Sequence, residues 1–243
     1  GGVYKSQIKR KGLMIGDQVV VQRAGDVIPQ VVKSIESLRD GSEKEYHFPD
    51  KCPACSEVVW CPEDEVIPHC QNLQCPAQIR GRIEHFASRR ALDIDGLGEK
   101  LIDQLVTEGL VKTPSDLYRL ELDAVAGLER MAQKSAENLI AALDQTKQRS
   151  FCRVLHALGI RHVGERVAEL IVDSQRDIDT LMAASSETLE QIDEIGPAIA
   201  ASVADFFSRA SVRQEIEVLR AAGLKMKSDG PPAGEALAGP LSG

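Results

Sequence analysis

The strongest constraint on this chain is an internal repeat: the segments DGLGEKLIDQLV, ERMAQKSAENLI, RHVGERVAELIV and DEIGPAIAASVA align without gaps. Their pivot residues, Gly98, Ala132, Gly164 and Gly196, stand 34, 32 and 32 residues apart. A period of that size marks one supersecondary unit repeated so that neighbours share a buried face. An apolar residue lies four before each pivot (Ile94, Leu128, Ile160, Ile192) and another lies one before it (Leu97, Met131, Val163, Ile195). Others follow four after (Ile102, Ala136, Ala168, Ala200) and seven after (Leu105, Leu139, Ile171, Val203). The spacing predicts, in every unit, a tight turn feeding an amphipathic helix with one buried face.

The rest of the chain supports a globular reading. Its 243 residues can bury a core, and 43% hydrophobic with 27% charged residues is ordinary globular usage. No apolar run reaches eighteen residues and the opening GGVYKSQIKRK lacks a secretory core, so a cytoplasmic protein with no membrane partner is expected. The net charge is -8 and unevenly spread. Residues 1–90 hold 13 Lys+Arg and 12 Asp+Glu, whereas residues 91–222 hold 14 and 23. A nucleic-acid contact in the second part must therefore rest on local geometry and not on net charge.

Before the repeats, DQVVVQRAGDVIPQVVKSI carries two β-branched runs around Ala24-Gly25-Asp26 and predicts a β-hairpin, with Pro29 at an edge or a bulge. Cysteines follow in two short pairs, Cys52-Pro-Ala-Cys55 and Cys70-Gln-Asn-Leu-Gln-Cys75. Paired spacings in a chain without a signal peptide favour a metal over disulfides, and four thiolates close a tetrahedral shell, so structural zinc is expected. Buried free thiols are the alternative. Cys61, Cys152 and His69 fall outside the pattern and are expected to be ordinary residues. Ile79, Ile83 and Phe86 then predict a helix over 77–90, with Arg80, Arg82, Arg89 and Arg90 as phosphate candidates. The end, SDGPPAGEALAGPLSG, has the composition of a linker.

The repeated turn carries the chemistry. Backbone N–H groups at a helix start, reinforced by the helix dipole, can receive a phosphate oxygen, and a glycine there lets the phosphate approach. Arg130, Lys134, Arg161, His162 and Arg166 flank the turns. The competing reading is a helical array for protein contacts. No nucleophile-base pair or other catalytic set stands out.

At this point the chain resembles the C-terminal half of a bacterial NAD-dependent DNA ligase. The match is carried by MIGDQVVVQRAGDVIPQV, by CPAC with HCQNLQCPAQIRGRIEHFASRRALDIDGLGEKLIDQLV, and by LERMAQKSAENLIAAL and LHALGIRHVGERVAELI. The resemblance implies a mostly α protein: a partial OB-fold β-segment over 1–48, a small four-cysteine zinc finger over 49–78, four tandem helix-hairpin-helix motifs over 79–222, and a linker over 223–243. It implies zinc on Cys52, Cys55, Cys70 and Cys75. DNA contacts are implied for Arg80, Arg82, Gly96, Gly98, Lys100, Lys134, Gly164, Arg166 and Gly196, with Ala132 departing from the usual glycine. Such a chain, a monomer, grips a nicked duplex and has no catalytic residue of its own. NAD and Mg2+ are used by the parent enzyme through an adenylation domain whose lysine stands in a KxDG motif, expected to be absent here. A non-catalytic zinc and helix-hairpin-helix repair scaffold is the alternative.

Overall fold

The computed structural model describes residues 8, 10–24, 28–61, 68–72 and 74–229, in two compact units that divide between Cys75 and Pro76. The expected turn residues Gly25 and Asp26, and the linker from residue 230 on, lie outside the described residues.

The first unit contains short antiparallel pairs. Strand β1 (Met14–Ile15) pairs with β4 (Lys44–Glu45), and β2 (Val19–Ala24) pairs with β3 (Ile28–Ser34). The last two form the expected hairpin, with Pro29 opposite Arg23 and the irregularity between Val20 and Val21. Arg39 closes the β1 end by donating to Asp17 at 2.6 Å. Strand β5 (Val59–Trp60) pairs with β6 (His69–Cys70). Val19, Val20, Val21 and Val32 remain exposed, as a two-stranded sheet too small to bury both faces leaves them.

The second unit is helical. Its helices are α1 (Pro76–Ala87), α2 (Glu99–Thr107), α3 (Leu122–Ala126), α4 (Gln133–Thr146), α5 (Phe151–Ala157), α6 (Glu165–Gln175), α7 (Ile178–Ala183), α8 (Ser186–Leu189), α9 (Pro197–Ser208) and α10 (Ala210–Ala221). The repeat maps onto four helix-turn-helix units: α1 with α2, α3 with α4, α5 with α6, and α8 with α9. The positions four and seven after each pivot are at most 1% exposed in all four units, as the periodicity requires. The units pack two by two. One core gathers Ile83, Phe86, Ile102, Leu105 and Leu139; the other gathers Phe151, Leu155, Ile171, Val203 and Phe207.

Two helices straddle both cores. Helix α5 turns Val154 and Ala157 to the first and Phe151 and Leu155 to the second, while α10 gives Leu219 to the first and Ile216 to the second. Folded chain also runs past residue 222, where the repeats were expected to end: Leu224 is buried, and the Ile178 N–H donates to the Met226 carbonyl at 2.9 Å. Its Lys-rich sequence conceals this, because one buried leucine and a backbone bridge leave no periodic signal.

Candidate metal centre and phosphate-facing turns

The backbone around the cysteines is shaped to bring four sulfurs together. The Cys52 N–H donates to the Glu57 carbonyl at 2.7 Å and the Ser56 N–H to the Cys52 carbonyl at 2.8 Å, so the CPAC segment folds back as a tight knuckle. In the second pair Cys70 lies on β6, and the Cys75 N–H donates to the Asn72 carbonyl at 3.0 Å. The four Sγ atoms lie within 4.8 Å of one another. Cys52 and Cys75 sulfurs are 3.8 Å apart, and those of Cys55 and Cys70 are 3.5 Å apart. Four sulfurs held about 2.3 Å from one ion at tetrahedral angles would stand about 3.8 Å apart, whereas a disulfide needs about 2.05 Å. The arrangement fits a metal ion and not a disulfide.

The electrostatics agree. N–H groups of Ala54 and Cys55 point at the Cys52 sulfur and hold its thiol down at about 7. The Asn72 N–H pulls Cys70 the same way, but burial and the sulfurs of Cys55, Cys52 and Cys75 push it up to about 12. Without a cation, four sulfurs at this distance cannot all ionise. Cys61 is exposed, and burial followed by Glu169 pushes Cys152 up to about 11, so neither belongs to the set.

All four turns share one backbone geometry. The pivots Gly98, Ala132, Gly164 and Gly196 are exposed residues that precede the helices with φ of -89°, -88°, -86° and -84°. Those values are open to any residue. A side chain at Gly164 would not strain the turn: φ is ordinary and an added Cβ would meet nothing within 4 Å. The left-handed position lies two residues earlier, at Gly96 (φ +80°), Arg130 (+63°), His162 (+66°) and Glu194 (+66°). Only one of these is glycine, which is why the pattern hid it.

Between them, the N–H one before the pivot closes on the carbonyl four before it, as in Val163 to Ile160 at 3.0 Å. The N–H groups at the pivot and the first helical turn are left facing outward. The turns differ in what surrounds them. Arg161, His162 and Arg166 flank the third; Glu190, Asp193 and Glu194 flank the fourth, and Pro197 removes one of its donors. The turn at Gly196 thus offers one N–H donor fewer than the others, among acidic neighbours.

The expected cationic partners are unequal. Lys100 is exposed, Lys134 pairs loosely with Glu137 at 3.5 Å, and Arg166 reaches Glu194 at 3.1 Å. Arg80 pairs with Asp103 at 2.6 Å, and Arg82 pairs with Glu215 at 2.9 Å. Neither is a free cation. Arg89 and Arg90 are exposed at the end of α1, with Arg90 3.9 Å from Glu165.

One expectation fails by letters: Lys227-Ser228-Asp229-Gly230 spells KxDG. Its setting is unlike a nucleotide site. The Ser228 N–H donates to the Arg176 carbonyl at 2.8 Å, and Lys225 pairs with Asp229 at 2.6 Å. The adjoining cavity of about 430 Å³ is lined by Glu169, Asp173 and Asp229, carboxylates that repel phosphates. Gly230 lies outside the described residues.

Fold and site define a tandem helix-hairpin-helix protein with a four-cysteine metal-type centre, and similarity to known proteins narrows the class. Residues 4–43 match the NAD-dependent DNA ligase OB-fold domain, 88–145 the SAM-like helix-hairpin-helix tandem, and 153–216 the helix-hairpin-helix motif. The chain is 47% identical over 236 residues to a DNA ligase of Rubrobacter xylanophilus, covering 97% of this chain and 34% of that protein. A DNA ligase of Halothermothrix orenii is 49% identical over 224 residues, 92% of this chain and 33% of the relative. The chain belongs to the bacterial DNA ligase family, and it spans about a third of the length of these relatives. Among the described residues no helix is long and apolar enough to cross a membrane.

Proposed function

We propose that this chain is the part of an NAD-dependent DNA ligase that grips a nicked duplex while the adenylation domain of the parent enzyme joins 5′-phosphate to 3′-hydroxyl in replication and repair. One observation carries the reading: four exposed turn-to-helix junctions of the same backbone geometry in one compact unit, in a chain related along nearly its whole length to DNA ligases. Outward N–H groups at helix starts receive phosphate oxygens even where net charge is negative. Gly98, Gly164 and Ala132 with Lys100, Arg166 and Lys134 are the phosphate-facing set, and Gly96 supplies the left-handed turn. Zinc on Cys52, Cys55, Cys70 and Cys75 shapes a finger over 49–78, after the end of an OB fold over 1–48. NAD and Mg2+ serve the adenylation domain, and the chain acts as a cytoplasmic monomer.

The test is binding to nicked duplex, followed by fluorescence anisotropy at several salt concentrations. The chain is expected to bind unrelated nicked sequences alike, since phosphate contacts carry no base information. Incubated alone with labelled NAD, it should take no label, Lys227 included. A folded protein with no affinity for nicked DNA would overturn the reading.

A further inference from the structure

The two cores of the helical unit meet at a seam that is not close-packed. A cavity of about 300 Å³ lies there, lined among others by Arg82, His85, Gly159, Phe206, Val212 and Glu215. The pocket opens to solvent, so part of the seam is lined rather than filled, while α5 and α10 carry apolar packing across the rest. Polar ties remain. Arg149 donates to the Leu92 carbonyl at 3.1 Å, Arg153 to the Ala91 carbonyl at 2.5 Å, and the His85 ring meets the His156 carbonyl at 2.7 Å.

Among the described residues of the helical unit, a half-buried ionic tie is on the straddling helix α10. The Glu215 carboxylate, its side chain 12% exposed, accepts from Arg82 of α1 at 2.9 Å and from the backbone N–H of Ser115. The adjacent face of the helix serves the other half: Ile216 enters the second core, and Arg220 donates to Asp179 of α7 at 2.5 Å. Helix α10 therefore holds the first half through Glu215 and Leu219, and the second through Ile216 and Arg220.

We infer that Arg82 and Glu215 form a latch that sets the angle between the two pairs of helix-hairpin-helix units, and so positions the four turns on one duplex. Arg82 is then a positioning residue and not a phosphate contact. The inference rests on the DNA-gripping reading for its consequence, but the latch has a readout without DNA.

Three variants separate the alternatives: Arg82→Gln, Glu215→Gln and the double substitution. The latch predicts that each single change weakens binding to nicked duplex by roughly tenfold, the size of couplings carried through a two-state element. The double variant should be no weaker than either single, and the slope of log affinity against log salt should be unchanged in all three. Circular dichroism confirms folding. Fluorophores placed through unnatural residues at exposed Asp123 and Glu187, one in each half, should report a shifted or broader distance in every variant, with no DNA present.

If Arg82→Gln instead makes the salt slope shallower by about 0.9 while Glu215→Gln binds as the parent does or more tightly, Arg82 contacts a phosphate and the latch is overturned. Unchanged distances in folded variants overturn it as well. Should the Gln variants fail to fold, Arg82→Lys decides, because it keeps a charge for a phosphate but loses the reach and fork toward Glu215. Weaker binding at an unchanged salt slope supports the latch, and parent-like binding sinks it. If the parent itself binds no DNA, the functional reading fails and the distance measurement alone judges the latch.

Discussion

The two units of this protein are held together by different physics. Among the described residues, the buried apolar side chains of the first unit are Cys52 and Cys75, both members of the metal-type site, while the second unit buries two full cores. Val58 is 70% exposed and Trp60 49% exposed beside the cysteines. Burial among the described residues beside the cysteines is too slight to order them, so the proposed zinc would have to do so. In the helical unit the order is reversed: packing supplies stability, and the polar groups at the turns and the seam are left for the proposed roles in phosphate binding and orientation. The difference teaches where each substitution should act.

Metal removal gives the largest expected effect. Chelation or Cys75→Ser should abolish the bound zinc, one per chain in the parent by mass spectrometry, and melt the knuckle at Cys52–Cys55 and the β5–β6 pair, because ligation free energy is folding free energy in such modules. Amide exchange in α2, α4 and α6 should stay protected. Parent protein purified without chelator that carries no metal, with all four thiols freely titratable, would remove the basis of the contrast.

A core truncation is next and should act on the other unit. Ile171 is fully buried, and Ile171→Ala should cost about 2–5 kcal/mol in denaturant unfolding of the helical unit while zinc content is unchanged. Loss of zinc in that variant would show that the units do not fold independently.

Gly164→Val should touch neither mechanism of stability. Its φ of -86° suits any residue and no atom lies within 4 Å of the new Cβ, so the melting temperature should hold. Affinity for nicked duplex should fall roughly tenfold and the salt slope flatten by about 0.9, as expected for one lost phosphate contact. Parent-like affinity and slope would make the turns packing elements and move a protein-interaction array ahead.

The smallest effect is a pH signature at the seam. Burial raises the Glu215 carboxyl above its ordinary 4.5, against the pull of Arg82 and the Ser115 N–H and with a further push from Asp116. A carboxyl raised on folding contributes its stability below the ordinary value and loses it as pH rises through the elevated one. Glu215→Gln should therefore melt like the parent near pH 4 and slightly above it near pH 7. A variant less stable than the parent at pH 7 alone would show that the ion pair stabilises the fold rather than costing it.

Much of this was legible in the sequence, and the legible part was local. The cysteine pairs are fixed by spacings of a few residues, and the buried positions four and seven after each pivot follow from helix period, which a one-dimensional pattern records faithfully. The β-hairpin was readable from its β-branched runs for the same reason. What the pattern could not show was set by contacts between distant segments. Arg82 read as a phosphate candidate because its neighbours are basic, yet Glu215, 133 residues away, occupies it. The left-handed residue of each turn lies two positions before the pivot, where glycine in one unit and arginine, histidine and glutamate in the others adopt it because the turn is closed by its own backbone bond and by the core beneath, and no shared residue type marks it in the sequence. The KxDG letters of 227–230 mean nothing without a pocket, and only the fold shows carboxylates around them. Sequence determined which residues repeat and which sulfurs pair, because those depend on periods within one segment; tertiary structure decided which charges are free and how the two halves are angled, because those depend on what the folded chain brings against each side chain.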